Sequence, residues 1–317
     1  MRIAAIIIAV TLGSLLLLLV GFVAATWAPD RPPGELKARW APPPSTFVEI
    51  AGMQVHLRDQ GPRDDASPIV LIHGTSASLH DWEGWVEDLS RHRRVVTFDL
   101  PGFGLTGPSP DADYSIEATV RFVLALLDRL AIAHCVLGGN SLGGAVSWIT
   151  ALVAPARVDK LILVDSGGYP AHSLSMPIGF RLARIPVISG LLSNTLPRFL
   201  VAQGLRDIYG DPSRVTPERV ERAYEITQRE GNRRALLQRF SQPRSTAFAP
   251  RIGEIKVPTL ILWGGRDRLI PPDDAERFHR EIKGSSLVIF DDLGHAPEEE
   301  DPARTVAAVK QFLGLGP

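Results

Sequence analysis

Hydrophobic and polar positions divide the chain into three zones. Residues 3–27 run for 25 positions without a charged side chain. At about 1.5 Å rise per residue, such a helix spans roughly 37 Å, more than the roughly 30 Å of a hydrocarbon core. It has no polar face, which argues against a helix lying on a soluble domain. Residues 28–44 then concentrate Pro29, Pro32, Pro33, Pro42, Pro43 and Pro44, a composition that predicts a stiff, extended linker. From residue 45 onward, short apolar runs alternate with amphipathic stretches. Thr46–Ile50, 53–58, Ile69–Ile72, 95–99, 135–138 and 161–164 read as strands, the later ones apolar throughout, as in a sheet covered on both faces. Between them, residues 116–130 place Val120, Val123, Leu124, Leu127 and Leu130 at helical spacing.

Two strands followed by repeated strand-helix units predict an α/β fold with a mostly parallel sheet and a short antiparallel start. The rhythm breaks after Asp165 and resumes at 259–263, with Ser286–Phe290 as a last strand and 303–313 as a last helix. The core is therefore expected in residues 45–168 and 251–317. Residues 169–250 form an inserted helical cap, since a structureless loop of that length is improbable. The cap region carries 12 arginines against 6 acids, while its first part is apolar at Met176, Ile178, Phe180, Leu182, Ile185, Val187, Ile188, Leu191, Leu192, Leu196, Phe199 and Leu200. Such an insert packs on the core with solvated arginines outside, or lines an acyl pocket and meets anionic lipid.

Composition narrows the picture. With 45% hydrophobic and 22% charged residues the chain is globular, and a formal net charge of −1 lacks the broad basic footprint of a nucleic-acid binder. The single cysteine, Cys135, excludes an intrachain disulfide and a multi-cysteine metal site. Residues 1–27 read as a membrane anchor rather than a cleaved signal peptide, although Val23-Ala24-Ala25 resembles a cleavage site, because signal h-regions run only about 7 to 15 residues. Arg2 on one side and Arg31, Lys37 and Arg39 on the other, offset by Asp30 and Glu35, leave the orientation undetermined.

Gly139-Asn140-Ser141-Leu142-Gly143 fits G-x-S-x-G and lies between a strand and a helix. That setting suits a nucleophile on a tight turn, and the helix that begins there aims free N–H groups at an oxyanion. The bland alternative is a glycine-rich turn with an N-cap serine. Serine needs a base and a group to orient it. His295 follows the last strand and Asp267 the strand before it, both on the sheet rim expected for Ser141. Asp165 is a reserve acid. The amides of Leu142 and Thr75 are the expected oxyanion donors, Ser76 is a candidate substrate contact, and His73 is expected to orient that loop rather than act as the base. The other histidines (His56, His80, His92, His134, His172, His279) occupy no comparable position. No cofactor or metal is required, and the sequence offers no clustered ligand set.

Together, HGTS, DLPGFG, GNSLGG, WGGRDRLIP and GHAPEEEDP, in this order across residues 46–314, resemble the α/β-hydrolase superfamily. The resemblance implies an eight-stranded sheet with a helical cap between the sixth and seventh strands. It also implies a serine-nucleophile, esterase-like branch, since a serine stands where dehalogenases and epoxide hydrolases carry aspartate. Asn140 is similar to the asparagine that contributes to the substrate site in the carbon-carbon hydrolases of meta-cleavage pathways, but Ala296 replaces the tryptophan common there. The expected activity is hydrolysis of a small to medium, apolar carboxylic ester through an acyl-enzyme. Carbon-carbon hydrolysis, a thioesterase or lactonase, and a membrane-tethered binding module are the alternatives.

Overall fold

The computed structural model describes residues 2–170, 173–183, 185, 190, 193–243 and 245–316. Of the cap residues singled out above, Val187, Ile188, Leu191 and Leu192 lie outside these, as does His172. Eight strands form one sheet: β1 (Thr46–Ile50), β2 (Met53–Gln60), β3 (Ile69–Ile72), β4 (Val95–Phe98), β5 (Cys135–Asn140), β6 (Val158–Val164), β7 (Thr259–Gly264) and β8 (Ser286–Phe290). Their order is β1-β2-β4-β3-β5-β6-β7-β8. Only β1 with β2 and β2 with β4 are antiparallel. The pleat divides the apolar strands between two cores. Val70 and Ile72 join Val123, Leu127, Val146, Ile149 and Phe278 on one face, while Ile69 and Leu71 join Trp82, Trp85, Leu89 and Val309 on the other. Continuous apolar runs are thus buried on both sides, as the sequence pattern implied.

Between β6 and β7 the described residues contain the helices Ile178–Ala183, Arg198–Ile208, Pro217–Thr227 and Asn232–Ser241. The strand β5 reaches two residues further than expected, to Asn140, so the sheet itself holds the residue before Ser141.

The N-terminal helix Arg2–Ala25 is long and apolar enough to cross a membrane, and its most apolar window packs against nothing. The segment after this helix departs from the expected extended linker. Pro33–Trp40 is a helix, with Pro33 in the first turn, where a missing N–H costs nothing. Leu36 and Trp40 share one face of it and are buried against Leu105 and Ile226. The prolines bracket this segment without entering its interior, and the spacing of Leu36 and Trp40 decides its conformation. The same segment is tied to the cap. Asp30 accepts from Gly231 N (2.9 Å) and Arg233 Nη2 (2.6 Å), and Trp40 Nε1 donates to Glu225 Oε2 at 2.7 Å. Further up, Ala28 N donates to Asn194 O and Leu196 N to Thr26 O, both at 3.0 Å.

Candidate active site

The turn after β5 holds Ser141 at φ 53° and ψ −112°, a conformation that a side chain adopts only under constraint. The constraint is visible on both sides of the residue. Ser141 N donates to Val164 O at 3.0 Å, and Ser141 O accepts from Ala145 N at 3.0 Å and Gly167 N at 2.9 Å. The flanking glycines are required by contact: a Cβ on Gly139 would lie 2.3 Å from the Gly143 carbonyl carbon, and one on Gly143 only 2.0 Å from Ile72 O. The helix Leu142–Val153 starts at the next residue.

The structure brings Asp267 and His295 together. His295 Nδ1 donates to Asp267 Oδ2 at 2.6 Å, and the other carboxylate oxygen accepts from Leu269 N (2.7 Å) and Ile270 N (2.9 Å). Both side chains are buried. His295 is held from two further directions, by its own N–H to Ile208 O of the cap (2.7 Å) and by Asn140 Nδ2 donating to its carbonyl (2.8 Å). Ser141, Asn140 and His295 line one cavity. Among the described residues Ser141 Oγ and His295 Nε2 do not form a hydrogen bond, a link that catalytic triads often tighten only with substrate in place.

Asp165 is not the orienting acid, but it is part of the assembly. One oxygen accepts from Gly264 N at 3.0 Å, and the carboxyl also meets the Asp267 carboxylate. Burial and the neighbouring Asp267 charge push its pKa well above the ordinary carboxyl range, so it keeps its proton. Ligand atoms of Asp165, Asp267 and His295 lie within 4.8 Å of one another, a grouping the sequence did not announce. With Asp165 protonated and His295 Nδ1 already bonded to Asp267, these donors fit a hydrogen-bonded triad better than a cation site.

Thr75 and Leu142 both stand at the cavity wall, and neither N–H has a hydrogen-bond partner among the described residues. His73 is buried behind this loop. Its Nδ1 donates to Gly74 O (2.7 Å) and its Nε2 accepts from Leu100 N (3.0 Å). This pattern requires the neutral ring, and burial lowers the pKa accordingly. The predicted role of loop orientation thus has a geometry. Ser76 lines the cavity with φ at 60°. Asn140, expected to meet substrate, directs both amide hydrogens to carbonyls, His295 O at 2.8 Å and Val164 O at 3.4 Å. Only its Oδ1 remains for a ligand.

Sequence reasoning missed several groups. Asp99, within the glycine-rich DLPGFG turn, accepts from Leu79 N, Leu105 N and His56 Nδ1 and so ties its own turn to the helical turn at Leu79 and to strand β2. Burial alone would raise its pKa, but His56 outweighs this and holds it low. The cavity of about 580 Å³ has an apolar wall that includes Phe180, Leu200, Val201 and Leu236, and a polar group of Asp81, Arg219, Arg222, Glu298 and Glu299. Arg233 and Arg239 also line it, so the cap arginines are not simply solvated on the outer face. No sequence signal separated these arginines from the rest of the 12, because burial alone distinguishes them.

A family model for the alpha/beta hydrolase fold matches residues 67–302. The chain belongs to the α/β-hydrolase family. It is 31% identical over 278 residues to the 2-hydroxy-6-oxo-2,4-heptadienoate hydrolase of Pseudomonas putida, covering 84% of this chain and 95% of that one. Among solved structures, the meta-cleavage product hydrolase of Pseudomonas fluorescens IP01 is similar, with a TM-score of 0.72 and 25% identity over 85% of this chain and 97% of that one. A membrane phospholipase A shares the fold with a TM-score of 0.71 at 23% identity, over 98% of this chain and 96% of that one.

Proposed function

We propose that this chain is a serine hydrolase that cleaves the bond next to a carbonyl of a mainly apolar small molecule. Ser141 Oγ attacks the carbonyl while His295 Nε2 takes its proton and returns it to the leaving atom. Asp267 fixes the imidazole tautomer and balances its charge, and the N–H groups of Thr75 and Leu142 hold the oxyanion. Water then releases the acyl group from Ser141. The reading rests above all on the 2.6 Å Asp267–His295 hydrogen bond at the wall of the cavity that contains Ser141.

Of the reactions open to this site, carbon-carbon hydrolysis of a vinylogous diketone acid comes first, ahead of the ester hydrolysis expected from sequence. The Pseudomonas putida relative supports it at 31% identity. The cavity also offers Arg239, which has no carboxylate within salt-bridge distance among the described residues and could balance a substrate carboxylate. Ester hydrolysis remains the second reading, favoured by Ala296 beside the base and by the extent of apolar wall. A kinetic panel separates them: a 2-hydroxy-6-oxo-dienoate beside p-nitrophenyl esters of rising acyl length. The first reading expects the dienoate to lead by at least about tenfold in kcat/KM, a difference of roughly 1.4 kcal/mol in barrier. The reverse order makes the chain an esterase. Ser141→Ala should abolish either activity by roughly four to six orders of magnitude, and near-wild-type turnover would remove the assignment.

We also read Arg2–Ala25 as a single-pass anchor. Its length and composition support this. Retention in the membrane pellet after alkaline carbonate washing is the expected outcome, and release of the full-length chain would refute it.

A further inference from the structure

Glu298 is 1% exposed, lines the cavity, and has an oxygen, Oε2, without a hydrogen-bond partner. Buried polar atoms of this kind are rare, because an unmade hydrogen bond costs about 1–3 kcal/mol. Asp81, in the short helical turn Leu79–Trp82, faces the same space, and the one hydrogen bond to its carboxyl comes from the Ser78 backbone. The nearby cations do not supply the missing partners. Arg222 is engaged by Glu299 (3.0 Å) and Glu83 (3.3 Å), Arg219 pairs with Glu299, and Tyr209 Oη donates to Glu299 at 3.2 Å.

Position assigns this pair to one part of a substrate. Glu298 lies in the helical turn Pro297–Glu300, directly after His295. The base that protonates a leaving group must stand on the leaving side of the scissile bond. Groups on the wall next to the base therefore meet the leaving portion rather than the acyl portion. We propose that Asp81 and Glu298 form a subsite for the leaving portion of the substrate, and that this portion is uncharged and carries hydroxyl groups, as in a glycerol or other polyol ester. The inference rests on the second reading above, ester hydrolysis by Ser141 and His295, because the leaving portion of a dienoate carries a carboxylate; its binding test does not depend on turnover.

The chemistry follows from the protonation state. Burial pushes both carboxyls well above their ordinary range, and each is raised further by acids around it: Glu299 for Asp81, and Asp81 and Glu299 for Glu298. Arg219 opposes the shift at both groups and Arg222 at Asp81, without reversing it. A protonated carboxyl offers one donor and an acceptor, which is the complement of a hydroxyl group. An ammonium ligand would instead need ionised carboxylates, and a carboxylate would meet Glu299.

The test measures binding of non-hydrolysable ligands to the detergent-solubilised full-length chain. Calorimetry compares a 1-O-alkylglycerol ether with an alkyl ethyl ether and an alkyl trimethylammonium of the same chain length. Wild type should prefer the glycerol ether over the ethyl ether by about 10- to 50-fold. Glu298→Gln, which keeps a donor and an acceptor, should retain most of that preference, while Glu298→Leu should reduce it below threefold. Asp81→Ala, expected to lower the preference by at least fivefold, is the second variant should Glu298→Leu fail to fold. Equal binding of the two ethers by wild type, or an unchanged preference in both variants, overturns the proposal. So does tighter binding of the ammonium ligand. Fluorophosphonate labelling of Ser141, run in parallel, reports separately on the hydrolase reading: an unlabelled chain that prefers the glycerol ether would keep the subsite and lose the enzyme.

Discussion

Asp165 and Asp267 are identical in chemistry and sit at the ends of neighbouring strands, yet their surroundings differ sharply. Asp267 receives two backbone N–H groups and the His295 ring, three donors that stabilise its charge. Asp165 receives one N–H and faces that charge, so it remains a neutral acid. Asparagine reproduces a protonated aspartic acid far better than an ionised one. Asp165→Asn is therefore expected to keep kcat/KM within about fivefold of wild type, whereas Asp267→Asn should fall by about four orders of magnitude, as loss of the correct tautomer does in other triads. Equal losses in the two variants would mean that Asp165 is ionised after all. The glycines of the turn give a second residue-scale prediction. Gly143→Ala places a methyl group 2.0 Å from Ile72 O, a backbone atom that cannot step aside. Fluorophosphonate labelling of Ser141 should drop at least tenfold in that variant, with thermal unfolding several degrees lower.

Helix Pro33–Trp40 contributes more than its eight residues suggest. Leu36 is fully buried between the core residue Leu105 and the cap residue Ile226, and Trp40 reaches the cap residue Glu225. Truncation by Leu36→Ala should cost about 2–5 kcal/mol, the usual range for a buried leucine, read from denaturant midpoints. Because the helix bridges cap and core, limited proteolysis of the variant should cut first within residues 217–241, and cutting elsewhere first would contradict the bridging role. This element was hidden behind the prolines on either side of it. By contrast, β3, β5, β6 and β7 were legible because strands covered on both faces must be apolar throughout, and that pattern survives without knowledge of neighbours. The placement of Ser141 and His295 at one cavity, with Asp267 bonded to His295, was legible for a related reason: each of the three follows a strand, so strand order alone puts them on one rim. Glu298 and Asp81 follow no such rule. Three consecutive acids after Pro297 look like a solvated helix start, and only the tertiary structure shows that Glu298 and Glu300 are buried.

At the scale of the whole molecule, the buried acids set a pH dependence of stability. Asp81 and Asp165 are raised well above 3.8, and Glu298 well above 4.5. A carboxyl with a raised folded pKa contributes its full stability below the unfolded pKa and loses it as pH rises toward the folded one, because the unfolded chain releases its proton first. His73 and His80 act in the opposite sense. Burial lowers His73 and brings His80 to about 4, so the unfolded chain takes up protons below about 6.5 and stability is lost as pH falls. Above about 7.5 both histidines are neutral in either state, and the groups that still titrate differently are the acids and, toward 8.5, Cys135, whose thiol burial raises from 9.0 to about 12 and which acts in the same sense as the acids. Unfolding midpoints in denaturant should therefore decline as pH is raised from 7.5 to 8.5, by at most about 1.4 kcal/mol per pH unit for each acid still protonated in the fold. Glu298→Gln removes one of these groups without a change of size. Its stability relative to wild type should increase with pH across that range, and Asp165→Asn should behave likewise. Parallel curves for wild type and both variants would show that these carboxyls are already ionised in the fold, and the neutral-acid account of both the triad support and the leaving-group subsite would fall together.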